Sequence, residues 1–380
     1  MEKEVSRYPN ETFLDVAQQI QKPSYQSLVQ KRHLAEDESK PPFYYFNDFD
    51  MLAYYLQDEQ NIDVEKGRTQ QTLQMYEREL YAFIKNLISY QDDIGIQFNN
   101  MESESIFKQL KPSHLEKYQY WFVHKYPYLL GRKSPYSPST ISRKDAIIKY
   151  FLSFLYTSGY IDEDLTRYMK VSTVSKDERP NRDLTTREVL QLLDFFSEEI
   201  DHPVLFALIH ALVTTGMRNS ELCRVRIRDI EYDEDREQYF IRVHGKGNKK
   251  RLVPLNEKTY NSLNRFRISR GHSPIAHANG DESVILTSKG HPYTNNYLSQ
   301  YLSKALKRLP MPFVKEKVIT PHTFRHAFAI LSYKDGADVY TIMRALGHES
   351  IQTTMIYLPK EIEKEELDKV RWQNTLQKYI

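Results

Sequence analysis

The segment KVSTVSKDERPNRD, residues 170–183, most constrains what this chain can fold into. It is polar, charged and broken by Pro180, so it reads as a linker between two parts that each need their own core. Ahead of it, three amphipathic helices are predicted. Residues 69–90 place Leu73, Tyr76, Leu80, Ile84 and Leu87 at helical spacing. Lys111-Pro112-Ser113-His114 opens a second helix that runs through YQYWFVHKY. In SPSTISRKDAIIKYFLSFLYTSGY, Ser137 is the N-cap and Pro138 the first helical residue, Ile141, Ile148, Phe151 and Leu155 share a face, and Gly159 is the stop. Behind the linker, Thr185 and Glu188 form a capping box before VLQLLDFF. Helices follow through HPVLFALIHALVTTG and NSELCRV, then two strand-like runs, QYFIRV and RLVPL, joined by HGKGNKK. SVILTSKGHPYT reads as a strand-and-turn excursion, and the charged run KEIEKEELDKVRWQNTLQKYI as a closing helix. The expected fold is mainly α with a small antiparallel β-sheet in the second part.

Residues 1–66 read as an N-terminal extension of short helices. NDFDMLAYYLQDEQ suits a helix, and KRHLAEDESKPP reads as a polar linker ended by Pro41-Pro42. The 380 residues hold no run of 18 apolar residues, so no membrane span is expected. MEKEVSRYPNETF lacks the apolar core of a secretory signal. The single cysteine, Cys223, excludes an internal disulfide framework and fits a reducing cytoplasm; its place in SELC predicts a buried thiol. The net charge of +2 points to no partner, but its distribution is uneven. Residues 1–66 carry 7 Lys/Arg against 13 Asp/Glu, and the remainder carries 46 against 38. The basic surface therefore lies outside the extension, and a net of −6 there disfavours direct binding of a duplex by that segment.

The chemistry-bearing residues gather in the C-terminal third: Arg218 in TTGMRNSEL, Lys246 in HGKGNKKRLVPL, His322 and Arg325 in TPHTFRHAFA, His348 in LGHES and Tyr357 in IQTTMIYLP. Cleaving a phosphodiester by transesterification needs a nucleophile, a proton donor for the leaving oxygen and positive charge around the non-bridging oxygens. Planar, permanently charged guanidinium groups suit that last task, and preorganised charge is the largest catalytic contribution in many enzymes. His322 and Arg325 lie three apart on a helix predicted to start at Thr320 and Pro321, so they share a face. Arg242, Lys246, Lys249, Lys250 and Arg251 form an acid-free basic hairpin fit for phosphates. No Cys/His/carboxylate cluster has zinc spacing. Composition does not single out a nucleophile, because the chain has 28 tyrosines, with Tyr333, Tyr340 and Tyr379 near Tyr357.

These six residues, in this order and in these local settings, resemble the tyrosine recombinases, the phage-integrase family, which includes Xer-like enzymes and mobile-element integrases. TGMRNSEL is similar to the family's first arginine box, and HTFRHAFA to its second, with Phe324 where leucine and Ala327 where threonine or serine is usual. The resemblance implies a SAM-like core-binding domain over 67–176, a DNA breaking-rejoining catalytic domain over 182–360, and a tail at 361–380 that docks on a neighbouring protomer. It implies that Arg218 holds the scissile phosphate, with Glu221 supporting it. Lys246 protonates the 5′-oxygen, and His322 and Arg325 act on the same phosphate. His348 donates to a non-bridging oxygen, and Tyr357, nine residues on, is the nucleophile. His326 takes a supporting role, and Arg242, Lys249, Lys250 and Arg251 contact DNA. Since bond energy is kept in a 3′-phosphotyrosine, neither ATP nor a metal is required. The implied partner is double-stranded DNA with specific recombination sites, bound by a homotetramer.

The extension favours a mobile-element integrase or transposase over a chromosome-dimer or plasmid resolvase, and a role in contacting an accessory protein. A type IB topoisomerase shares the chemistry. A DNA-binding regulator without catalysis is disfavoured because all six positions are filled.

Overall fold

The computed structural model describes residues 23–58, 69–99, 105–170, 183–245, 250–358 and 361–363. The chain divides into two compact units between Arg179 and Pro180, within the linker read from the sequence.

The first unit is helical. α1 (Tyr25–Asp37) starts at the Ser24 cap, α2 (Asp48–Gln57) at an Asn47 capping box, and α3 (Gln70–Ser89) at Thr69. α4 spans Pro112–His124, and α5 (Pro138–Thr157) begins at Ser137 as expected, with Gly159 in the left-handed region beyond it. α3 packs on α5, and α2 packs on α1, α3 and α5. Their apolar faces share one core, including Leu28, Met51, Tyr55, Leu80, Phe83, Trp121, Phe151 and Leu155.

Two readings of the extension change here. Lys31 to Asp37, taken as linker, complete α1: the polar residues face outward while Leu28 and Ala35 bury. In addition, residues 23–58 are not a separate arm, because Leu28, Met51, Leu52, Tyr54 and Tyr55 lie in the same core as the helices that follow. Asp48 fastens the segment further. It accepts from the amides of Ile106 (2.7 Å) and Phe107 (3.4 Å), from the Tyr160 hydroxyl (2.8 Å) and from the Ser105 hydroxyl.

In the second unit, α6 (Thr186–Asp194) opens with the Thr185–Glu188 capping box, followed by α7 (Pro203–Thr215) and the single turn α8 (Asn219–Leu222). A three-stranded antiparallel sheet follows: β1 (Ile230–Asp233), β2 (Gln238–His244) and β3 (Lys250–Leu255). Its register pairs Ile230 with Ile241 and Val243 with Arg251. β1 was not foreseen, because IEYD is short and lacks apolar alternation. α9 (Glu257–Ser269), α10 (Asn295–Leu306), α11 (Pro321–Lys334), α12 (Val339–Leu346) and α13 (Ile351–Met355) complete the unit. The excursion SVILTSKGHPYT forms an isolated bridge between Leu286 and Pro292 rather than a strand. α7 is apolar over most of its surface and packs between α9 and α11 as the central helix of the core. Cys223 is buried, and its thiol is pushed up to about 12 by that burial. Among the described residues no helix is long and apolar enough to cross a membrane.

Candidate active site

The site lies where several chain segments end against one another. α7 stops at Gly216, which has φ +60° and would place a Cβ only 2.5 Å from the Phe328 ring. Only glycine satisfies both the left-handed backbone and the close approach of α11. The chain then turns, and Arg218 caps α8. One turn on, Glu221 accepts from the Arg218 backbone amide (2.8 Å) and from its Nη1 (2.9 Å). Glu221 is buried, whereas the Arg218 side chain keeps 39% exposure.

Arg251 of β3 closes on the same carboxylate as a planar fork, Nη1 to Oε1 at 3.0 Å and Nη2 to Oε2 at 2.8 Å. Its Nε donates to the Ala345 carbonyl near the end of α12 (3.0 Å). Burial alone would raise the Glu221 carboxyl, but Arg251 and then Arg218 reverse this and hold it down to about 2. Arg251, expected to contact DNA, is therefore engaged inside the protein, with 14% of its side chain exposed.

α11 opens at Thr320 and Pro321 as expected and carries His322, Arg325 and His326. His322 is exposed, and Arg325 is 1% exposed. The Arg325 Nη1 donates to the Gly216 carbonyl (2.7 Å) and its Nη2 to the Leu346 carbonyl (2.6 Å). One buried cation thus satisfies carbonyls at the ends of two helices, where the helix dipole favours positive charge. Burial and the nearby Arg218 pull Arg325 down to about 10, which leaves it charged at neutral pH.

His348 follows the left-handed Gly347 that ends α12. Its Nε2 lies 2.8 Å from Arg325 Nη2 and its Nδ1 lies 2.9 Å from the Thr354 hydroxyl. Arginine can only donate, so Nε2 accepts and Nδ1 carries the proton. Burial, then Arg325 and Arg218, push this imidazole down to about 4, so it is neutral at pH 7. The expectation that His348 donates to a phosphate oxygen is changed accordingly. In this structure its Nε2 is an acceptor that steadies Arg325.

Tyr357 is 7% exposed and follows α13. Its ring centroid lies 3.9 Å from that of His326, 5.4 Å from His348 and 6.0 Å, edge-on, from His322. Arg218, His322, Arg325, His348 and Tyr357 are thus gathered into one electrostatic neighbourhood, with Glu221 and His326 inside it. Lys246 and Lys249 lie outside the described residues. Lys250 is exposed at the start of β3, and Arg242 is exposed and paired with Glu231 (2.5 Å). The closing run 361–380 lies outside the described residues except for 361–363. The Arg251 clasp and the Thr354 contact were not foreseen, because no local pattern marks partners so far apart in sequence. Among the described residues no group of three His, Cys, Asp or Glu side chains gathers as a metal site.

The sequence profile of the Phage integrase family matches residues 182–363. A tyrosine recombinase XerD of Halalkalibacterium halodurans is 29% identical over 297 residues, covering 77% of this chain and 88% of that one. A tyrosine recombinase XerC of Roseiflexus castenholzii is 30% identical over 232 residues, 60% of this chain and 69% of that one. In fold, the chain is similar to a lambda integrase dimer bound to a COC′ core site, with TM-score 0.58 at 17% identity over 82% of this chain and 77% of that one.

Proposed function

The chain belongs to the phage integrase family, the tyrosine recombinases, which are DNA breaking-rejoining enzymes, and we propose that it is a site-specific recombinase whose nucleophile is Tyr357. The observation that carries this is a phenol ringed by three imidazoles beside a buried arginine. The Tyr357 oxygen attacks the scissile phosphorus of duplex DNA, the bond to the 5′-oxygen breaks, and a 3′-phosphotyrosine forms. Arg218 and Arg325 neutralise the non-bridging oxygens, a task suited to fixed guanidinium groups. His322, edge-on to the phenol, receives its proton. Lys246 gives a proton to the departing 5′-oxygen, which leaves as the 5′-hydroxyl. A 5′-hydroxyl of the partner strand then reverses the chemistry, and four protomers act on two sites.

Covalent trapping tests this reading. Nicked suicide duplexes tiling the DNA that flanks the gene are incubated with enzyme in EDTA. The expected result is a denaturant-resistant adduct with the wild type and none with Tyr357→Phe. An adduct that persists in the variant moves the nucleophile to another tyrosine; specific binding without any adduct favours a non-catalytic DNA-binding protein. Joining of two sites, rather than relaxation of one plasmid, separates a recombinase from a topoisomerase.

For biological role we favour integration or transposition of a mobile element, supported by the N-terminal segment, which also remains the proposed contact for an accessory protein. Resolution of chromosome dimers is the second reading, favoured by the relatives named XerC and XerD. Excision and capture of the flanking element, against resolution of a duplicated chromosomal site, distinguishes the two.

A further inference from the structure

We propose that Arg251 is a positioning residue for the cleavage step, a clasp that sets Arg218 through Glu221 and ties both to the end of α12 that carries His348. This rests on the transesterification reading above.

Three observations converge on this clasp. First, every nitrogen of the guanidinium is engaged within the protein: two on Glu221 and one on the Ala345 carbonyl. Second, Arg218 and Arg251 donate to the same Glu221 oxygen, Oε1, at 2.9 and 3.0 Å. Removing Arg251 leaves Arg218 as the sole guanidinium partner of a buried carboxylate, so Arg218 turns inward and away from substrate. Third, the backbone of Gly347 closes over the clasp. It has φ +66°, and a Cβ there would lie 3.0 Å from Arg251 Nη1, so any side chain would press on the guanidinium. His348 is the next residue. Arg251 also pairs with Val243 on β2, next to the His244–Lys250 pair that ends the ladder. One side chain therefore joins three sequence-distant parts of the site.

A lysine cannot replace this fork, because one ammonium does not reproduce two parallel bonds to a carboxylate plus a third to a carbonyl. Nor is this a surface phosphate anchor, which would present free donors to solvent.

The test measures single-turnover adduct formation and duplex affinity for wild type, Arg251→Lys, Glu221→Gln and the double variant, on the suicide duplex that traps the wild type. The expected result for Arg251→Lys is adduct formation slowed by about 10- to 100-fold, the range for a residue that orients a catalytic group. Affinity and its salt dependence remain unchanged. The double variant should be no slower than Glu221→Gln alone, since the clasp acts through that carboxylate. A phosphate anchor would behave oppositely. In Arg251→Gln, which removes the charge that lysine keeps, affinity would then fall and the slope of log K against log salt would shrink by about 0.9, with the saturated rate intact, and that outcome overturns the proposal. So does an additive double variant, or an unchanged rate. If Arg251→Lys melts well below wild type, the cycle is repeated with Gly347→Ala, which presses on the clasp without removing it and should slow the same step. A normal rate in that variant also overturns the proposal. A wild type that yields no adduct removes the transesterification reading and this role with it, whereas a slow or normal Arg251→Lys beside an active wild type bears on Arg251 alone.

Discussion

Each unit holds a carboxylate at a junction, and the two behave in opposite ways. In the first, Asp48 accepts only from neutral donors: a tyrosine, a serine and two backbone amides. Burial outweighs them and raises its carboxyl. In the second, Glu221 meets two guanidinium groups, and burial loses to them, so its carboxyl falls to about 2. The comparison shows that the partner's charge, rather than the number of hydrogen bonds, decides whether a buried carboxylate stays ionised. Asp48 fastens a chain segment into a core. Glu221 fixes the geometry of Arg218, the cation proposed to meet a phosphate, together with the Arg251 fork that clasps it.

The largest expected effect breaks the first half of the comparison. Deleting residues 1–66 removes Leu28, Met51, Leu52, Tyr54 and Tyr55 along with Asp48. Each large core side chain is worth about 2–5 kcal/mol, so the sum exceeds the usual stability of a domain, about 5–15 kcal/mol. The first unit should then lose its cooperative melt and its resistance to protease. A truncated chain that melts like the full one would show that the segment is an appendage.

Next, Glu221→Gln should lower stability by about 3–5 kcal/mol, because two cations lose their buried counter-charge. It should also slow adduct formation by 100-fold or more, on the order of losing one preorganised catalytic interaction. Asp48→Asn should lower stability by only about 1–3 kcal/mol and leave the rate on saturating DNA within about threefold, a size set by the absence of any catalytic contact. Equal effects of the two substitutions on the rate would erase the distinction.

Acid sharpens the contrast through sign. The Glu221 pKa is depressed in the folded state, so its contribution is present above 4.5 and is lost as pH falls toward about 2. The Asp48 pKa is raised, so the folded state binds that proton more tightly and stability is gained as the carboxyl protonates. Urea midpoints from pH 7 to 3 should therefore fall less steeply in Glu221→Gln than in wild type and more steeply in Asp48→Asn. His348 adds to the loss between 6.5 and about 4, since burial and Arg325 hold it neutral when folded. His348→Gln should flatten that window. Parallel midpoint curves for all four proteins would contradict these assignments.

The smallest effect concerns a surface cation. Arg242 is half exposed beside Glu231, so Arg242→Ala should change stability by no more than about 0.5 kcal/mol. As a phosphate contact it should reduce the salt slope of binding by about 0.9, whereas Arg251→Gln should leave that slope alone.

The sequence by itself determined the helices with caps at Ser137, Thr185 and Thr320, the β2–β3 hairpin and the boxes holding Arg218, Arg325, His348 and Tyr357. These signals are local: a cap acts over three residues and an amphipathic face repeats every turn. Only the tertiary structure decided that residues 23–58 join a core, because an amphipathic helix does not say which face it will cover. Only the tertiary structure turned Arg251 inward, because its partners lie 30 and 94 residues away at Glu221 and Ala345. It also set the His348 tautomer, which follows from a cation brought within 2.8 Å by a different helix. Charge placement inside a site depends on which distant segments meet, and no local pattern of residues encodes that meeting.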